Sequence, residues 1–186
     1  MRKLKTEELH RLSVDEFKSM TKMPLVVVLD NIRSGMNVGS VFRTGDAFGI
    51  EHIFLCGITA TPPHREILKS AIGATESVSW TYMESVAECL QNLKEKGFQI
   101  VGIEQTSASD HIQNLTVGEQ PVALVFGNEV EGLSESVLPL LDACYEIPQI
   151  GTKHSLNISV CAGIVLWKYF EKWGANDPSW TIRGIL

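Results

Sequence analysis

Pro24-Leu25-Val26-Val27-Val28-Leu29-Asp30-Asn31-Ile32-Arg33-Ser34-Gly35-Met36-Asn37-Val38-Gly39-Ser40-Val41-Phe42-Arg43-Thr44-Gly45-Asp46-Ala47-Phe48-Gly49 holds a whole strand–loop–helix unit. Residues 25–29 are an unbroken apolar run with three valines, the pattern of a strand buried on both faces in a parallel sheet. A polar loop, 30–37, follows. Residues 38–48 then read as a helix with Val41, Phe42, Ala47 and Phe48 on its apolar side, and Gly49 is a fitting C-terminal stop.

The alternation continues along the chain. Residues 53–56, 78–82, 98–103, 121–126 and 143–147 read as strands. A short helix ends at Leu68 after Pro62-Pro63, an amphipathic helix spans 85–96 before Gly97, another is expected over 134–141, and a last one over 155–173. This predicts an α/β fold with a mainly parallel sheet flanked by helices. Residues 1–23 read as an amphipathic helical extension with a capping box from Ser13 to Glu16, broken by Pro24. Residues 24–173 form the main domain and 174–186 a tail.

Composition bounds the function. Of 186 residues, 44% are hydrophobic and 20% charged, as in ordinary globular domains. No apolar run approaches the ~20 residues of a membrane span. The charged N-terminus lacks a secretory core. Cys56, Cys89, Cys144 and Cys161 are far apart in apolar surroundings, so they read as reduced core cysteines of a cytoplasmic protein, and the sequence requires no metal. A net charge of −6 argues against a nonspecific nucleic-acid binder but allows a local basic patch.

Three segments at strand-to-helix transitions carry polar residues of a matching kind. In 31–44, a loop opens a helix whose first N–H groups favour anions; Arg43 stands among apolar neighbours. It meets neither the Walker A nor the dinucleotide-binding glycine pattern. In Phe126-Gly127-Asn128-Glu129-Val130-Glu131-Gly132-Leu133-Ser134, Gly127 lets a ligand approach the strand end, and Glu129 suits an arginine or a ligand amine. In Ile147-Pro148-Gln149-Ile150-Gly151-Thr152-Lys153-His154-Ser155-Leu156-Asn157, Ser155 is placed to cap the last helix and Asn157 to sit in its first turn. Each segment alone also has a structural explanation: a turn with an ion-paired Arg43, a glycine loop with solvated acids, a capped helix start. His154 reads as a solvated loop histidine, with proton acceptor as the sharper alternative.

Taken together, 37–44, 126–133 and 147–157 resemble the three motifs of the SpoU (TrmH-like) branch of the SPOUT RNA methyltransferases, and the resemblance covers about residues 24–173. It implies a C-terminal deep trefoil knot, a homodimer with its site near the interface, and S-adenosylmethionine as cofactor. Glu104, Gly127, Ile147, Ser155 and Leu156 would hold that cofactor. The catalytic set would be Arg43, Asn37, Glu129, Ser155 and Asn157, acting on a ribose 2′-hydroxyl of RNA. An arginine is always protonated, so Arg43 is expected to bind a phosphate and stabilise the developing alkoxide, with Asn37 and Glu129 orienting it. Ser155 and Asn157 would hold the ribose or the second loop. Family members often carry a separate RNA-binding domain, and these residues hold none. Short flanking helices favour tRNA over ribosomal RNA. Gly102-Ile103-Glu104-Gln105-Thr106 and 128–132 resemble eukaryotic enzymes that methylate the D-loop guanosine of tRNA. A ribosomal RNA methyltransferase, a noncatalytic SPOUT-like RNA-binding protein and a small-molecule α/β enzyme are the alternatives.

Overall fold

The computed structural model describes residues 1–9 and 11–176. Seven strands form one sheet in the order β3-β2-β1-β6-β4-β7-β5. They are β1 (Met23–Asp30), β2 (Ile50–Cys56), β3 (Ser79–Met83), β4 (Gln99–Ile103), β5 (Asp110–His111), β6 (Val122–Phe126) and β7 (Ala143–Glu146). All pairings are parallel. The helices are α1 (Val14–Ser19), α2 (Gly35–Phe48), α3 (Arg65–Ala71), α4 (Ala74–Ser77), α5 (Val86–Glu95) and α6 (Ile158–Asn176). The six expected strands all form, in a parallel sheet flanked by helices as expected; β5 and the short α4 are additional to the expected pattern.

β1 is central and buried on both sides. Leu25, Val27 and Leu29 join one core with α2 and α6, while Val26 and Val28 join a second core with α5. Alternate strand residues face opposite ways, so one apolar run feeds two cores. Packing also decides α2. Its glycines at 35, 39 and 45 cost together about 3 kcal/mol against alanine. Val38, Val41 and Phe42 are fully buried, and each contributes roughly 1.5–3 kcal/mol. Gly39 is required: a Cβ there would collide with the Ser70 hydroxyl and the Ile67 carbonyl, so α3 could not cross α2 so closely.

Four expectations are corrected. First, no α-helix forms over 134–141. Asp30 captures the Ser134 N–H (2.8 Å) and hydroxyl (3.0 Å), Pro139 withholds a helical donor, and only a 3-10 turn forms, Leu138–Leu140. Second, α2 begins at Gly35, three residues early, because the Ser34 hydroxyl accepts from the Asn37 N–H (3.3 Å). Third, the N-terminal segment is not one helix: a 3-10 turn, Thr6–Leu9, precedes α1. The Ser13–Glu16 capping box is present, and Phe17 anchors α1 in the core under the Lys22 ammonium, 3.7 Å from its ring centroid. Pro24 lies inside β1, within the stretch where the pairing with β2 shifts register. Fourth, α6 starts at Ile158, not 155, and runs to Asn176. The rest of the expected tail lies outside the described residues. Among the described residues, no helix is long and apolar enough to cross a membrane.

From β1 the chain builds outward to β2 and β3 on one side. β6, β4, β7 and β5 lie on the other. The order therefore reverses between β1 and β6, and parallel α/β sheets bind ligands at the carboxyl edge of such a reversal. The loops after β1 and β6 meet there.

Candidate active site

The loop after β1 and the loop after β6 are tied by side chains that replace missing backbone pairs. The Glu129 carboxylate accepts from the Arg33 N–H (2.9 Å), the Ser34 N–H (3.2 Å) and the Asn37 side-chain amide (2.9 Å). The Asn128 amide donates to the Asn31 carbonyl (2.6 Å). Buried Asp30 accepts from Ser134 and from the Asn31 amide (2.8 Å). The third segment joins through Asn157, whose amide donates to the Asn37 side-chain oxygen (3.1 Å). Glu129, Asn37 and Asn157 thus form one relay across all three segments.

Asn157, not Ser155, is the cap of α6. Its side-chain oxygen accepts from the Ser159 N–H (2.9 Å) and hydroxyl (2.6 Å), and its carbonyl accepts from the Cys161 N–H (2.9 Å). Ser155 is exposed and makes no hydrogen bond to another described residue. One residue, Asn157, both starts the helix and closes the relay.

Burial pushes the Glu129 carboxyl up, but the donors at Arg33, Asn37 and Ser34 together hold it below the usual carboxylate value. A group depressed in the folded state stabilises the fold above its unfolded pKa, and that stability fades as pH falls through the folded pKa. Glu129→Gln is therefore expected to lower the midpoint at pH 7, and the deficit should shrink as the pH drops below about 4.5. For so exposed a carboxylate the effect is roughly 1 kcal/mol at most, or about 2–4 °C. Thermal melts of both proteins from pH 7 to pH 3 check this; a pH-independent deficit would refute the charge argument.

Behind the relay lies a cavity of about 700 Å³, within the usual range for small-molecule sites. Glu104, Gly127, Ile147, Ser155 and Leu156 all line it, as do Glu129, Asn157 and His154. Glu104 also braces the loop over it: its carboxylate accepts from the Leu133 N–H (3.0 Å) and from the Gln105 N–H (2.8 Å). The Gln105 amide reaches the His154 carbonyl (3.2 Å), so the loops after β4 and β7 touch. Among the described residues, five carboxylates line the cavity (Glu104, Glu129, Glu131, Glu135 and Glu146), with no lysine or arginine. Such a site attracts a cationic ligand.

Arg43 is the exception. It is exposed, its side chain bonds to no described residue, and it does not line the cavity. Asn37 and Glu129 bind each other and do not orient it. The reason is helical geometry: six residues on from Asn37, Arg43 points about 120° away around α2. Three further residues belong to the site without a motif that marks them: Asp30, Asn128 and Ser134. Their one visible sign is an acid, Asp30, ending an otherwise apolar buried strand.

A parallel sheet with a ligand cavity at its point of reversal, closed by three cross-bonded loops, defines an α/β ligand-binding domain of the enzyme type. The profile of the SpoU rRNA Methylase family matches residues 24–167, and the chain belongs to that family. A tRNA/rRNA methyltransferase of Synechocystis, itself uncharacterised, is 33% identical over 172 residues, covering 89% of this chain and 43% of its own length. The chain spans 43% to 64% of the curated relatives it matches. Among solved structures, the A. aeolicus TrmH/SpoU tRNA modifying enzyme superposes with a TM-score of 0.76 at 26% identity, covering 86% of this chain and 80% of that one. The AdoMet-bound rRNA methyltransferase of Sinorhizobium meliloti gives 0.76 at 26%, covering 83% and 59%.

Proposed function

We propose that this chain transfers a methyl group from S-adenosylmethionine to a ribose 2′-hydroxyl of RNA, on tRNA in preference to ribosomal RNA, with the D-loop guanosine as the favoured target. The observation that carries the reading is the Glu129–Asn37–Asn157 relay at the mouth of an acidic cavity of cofactor size. Two superposable relatives support the AdoMet-dependent RNA methylation, though not the choice of tRNA: a tRNA modifying enzyme and an rRNA methyltransferase with AdoMet bound.

The cavity suits the cofactor. S-adenosylmethionine supplies a methyl group already activated by a sulfonium charge, and the carboxylate-lined wall favours that cation. Gly127 does not make room for the ligand as expected: the Gly132–Leu133 backbone fills the place of its side chain, so the glycine lets the loop close on the strand end. Ile147 and Leu156 give apolar walls. The chain's own residues must then position and ionise a weakly nucleophilic hydroxyl. Asn157, held by Asn37, faces the ribose side. Arg43 supplies fixed positive charge for the phosphate and the developing alkoxide.

Arg43 reaches a cavity only through a second copy. α6 is apolar on its outer side as well as its inner one: Val160, Ile164 and Trp167 are 51%, 38% and 53% exposed. A helix apolar all round is a buried helix. Trp167 leans on Phe48 of α2 (5.9 Å between rings), while Arg43 points about 140° away from Phe48 around α2, off that contact. A homodimer closing over α6 would carry Arg43 toward the partner's cavity. The knot fits the order β6-β4-β7 and the contact of Gln105 with the loop that leads to α6.

The test is transfer of labelled methyl from S-adenosylmethionine to total unmodified RNA, followed by mapping of the 2′-O-methyl site. Label in a tRNA D-loop guanosine is the expected result. Label in ribosomal RNA would overturn the substrate choice, and cofactor binding without transfer would make the chain a noncatalytic RNA-binding protein.

A further inference from the structure

The outer face of α3 is unexplained by the site described so far. Arg65, Leu68, Lys69 and Ile72 recur at the spacing of one helix face, and all four are exposed. Leu68 is 46% and Ile72 is 68% exposed, while Ile67 and Ala71 on the opposite face are buried. Neither Arg65 nor Lys69 forms an ion pair with any described residue. Ile72 is also strained: its φ is 49° and ψ 52°, the left-handed region, which a β-branched residue rarely enters. Ile72 is the C-cap of α3, and its N–H donates to the Leu68 carbonyl (3.3 Å), so the left-handed turn ends the helix while its side chain stays in solvent.

The position of this face adds to the case. Gly35 of α2 abuts His64 and Glu66, and Gly39 abuts Ile67, Ser70 and Ala71. The two helices thus advance together, and the next turn of α2, which carries Arg43, comes alongside the Ile72 end of α3. α6 packs on the other side of α2, through Asn37 and Phe48. A dimer closed over α6 would leave the α3 face open.

We infer that the outer face of α3 is a docking surface for the RNA backbone beside the target nucleotide, with Arg65 and Lys69 on phosphates and Leu68 and Ile72 against the sugar or base. This rests on the RNA methyltransferase reading. The argument is charge complementarity. The carboxylate-lined cavity repels a polyanion and admits only a neutral ribose edge, so the flanking phosphates must be held elsewhere. The face that continues from Arg43 offers two unpaired cations with apolar side chains between them.

The test uses the full chain and an unmodified tRNA transcript as probe, with affinity measured by fluorescence anisotropy across a salt series. Removing two phosphate contacts lowers the salt slope by about two. The Arg65→Ala/Lys69→Ala variant should show that loss and bind RNA roughly tenfold more weakly near physiological salt. Its S-adenosylmethionine affinity and its turnover at saturating RNA should stay at the wild-type level. Ile72→Asn suits the left-handed conformation better, so it should melt no lower than wild type yet bind RNA several-fold more weakly. Wild-type affinity and salt slope in the double variant would overturn the docking surface. If the wild-type protein binds RNA through α3 but transfers no methyl group, the docking surface stands and the catalytic reading fails. If transfer proceeds and the α3 variants bind normally, only the docking surface fails.

Discussion

Arg43→Ala is expected to lower methyl transfer by about 10²–10³-fold, the loss seen when one preorganised charge-stabilising donor is removed. S-adenosylmethionine affinity should stay within twofold of wild type, because Arg43 lies outside the cavity. Stability should barely change, because the Arg43 side chain is exposed and bonds to no described residue; surface substitutions of this kind fall within about ±0.5 kcal/mol. Arg43→Lys should recover little, since an ammonium cannot grip a phosphate with two parallel donors. Steady-state rates beside calorimetric cofactor titration decide the matter. A wild-type rate in Arg43→Ala would remove Arg43 from the catalytic set. A mixed dimer sharpens the test: Arg43→Ala in one copy and an inactivated cavity in the other should regain one site's activity, about half that of the wild-type dimer, if Arg43 acts on its partner's cavity.

What could be read from sequence, and what could not, divides along a physical line. The β1–α2 unit was legible because valine runs and helical spacing are local properties. The cavity residues Glu104, Gly127, Ile147 and Leu156 are placed by resemblance, and all four line the cavity. The missed features are contacts between distant segments. Asp30 meets Ser134 across 104 residues, and Asn157 meets Asn37 across 120; no periodicity announces such pairs. The same blindness explains the Ser134 error. Serine before an apolar stretch reads as a cap, but a buried carboxylate outcompeted the helix for its donors. Ser155 failed for the same kind of reason: an asparagine two residues later could cap α6 and reach Asn37 at once.

Gly127→Ala is the most disruptive single change expected near the cavity. A Cβ there would fall on the Gly132 carbonyl group and the Leu133 nitrogen. Those are backbone atoms of the same loop, locked by the Asn128 N–H to Gly132 carbonyl bond (2.8 Å) and its reciprocal (3.0 Å). Adding a methyl group to a well-packed site costs about 1–3 kcal/mol, and backbone cannot turn aside as a side chain does, so the upper end applies. The loop can relieve the clash only by opening, which breaks the bridge and withdraws Asn128 and Glu129 from the first loop. At about 3 kcal/mol, cofactor affinity falls on the order of 10²-fold. The sheet should survive, because the residues displaced lie beyond the end of β6. Far-UV circular dichroism should match wild type while calorimetry shows weak binding or none. Gly118→Ala is the control: a Cβ there meets nothing within 4 Å, so both measurements should be unchanged. Full affinity in Gly127→Ala would mean that S-adenosylmethionine does not bind against this loop, and the cavity would need another ligand.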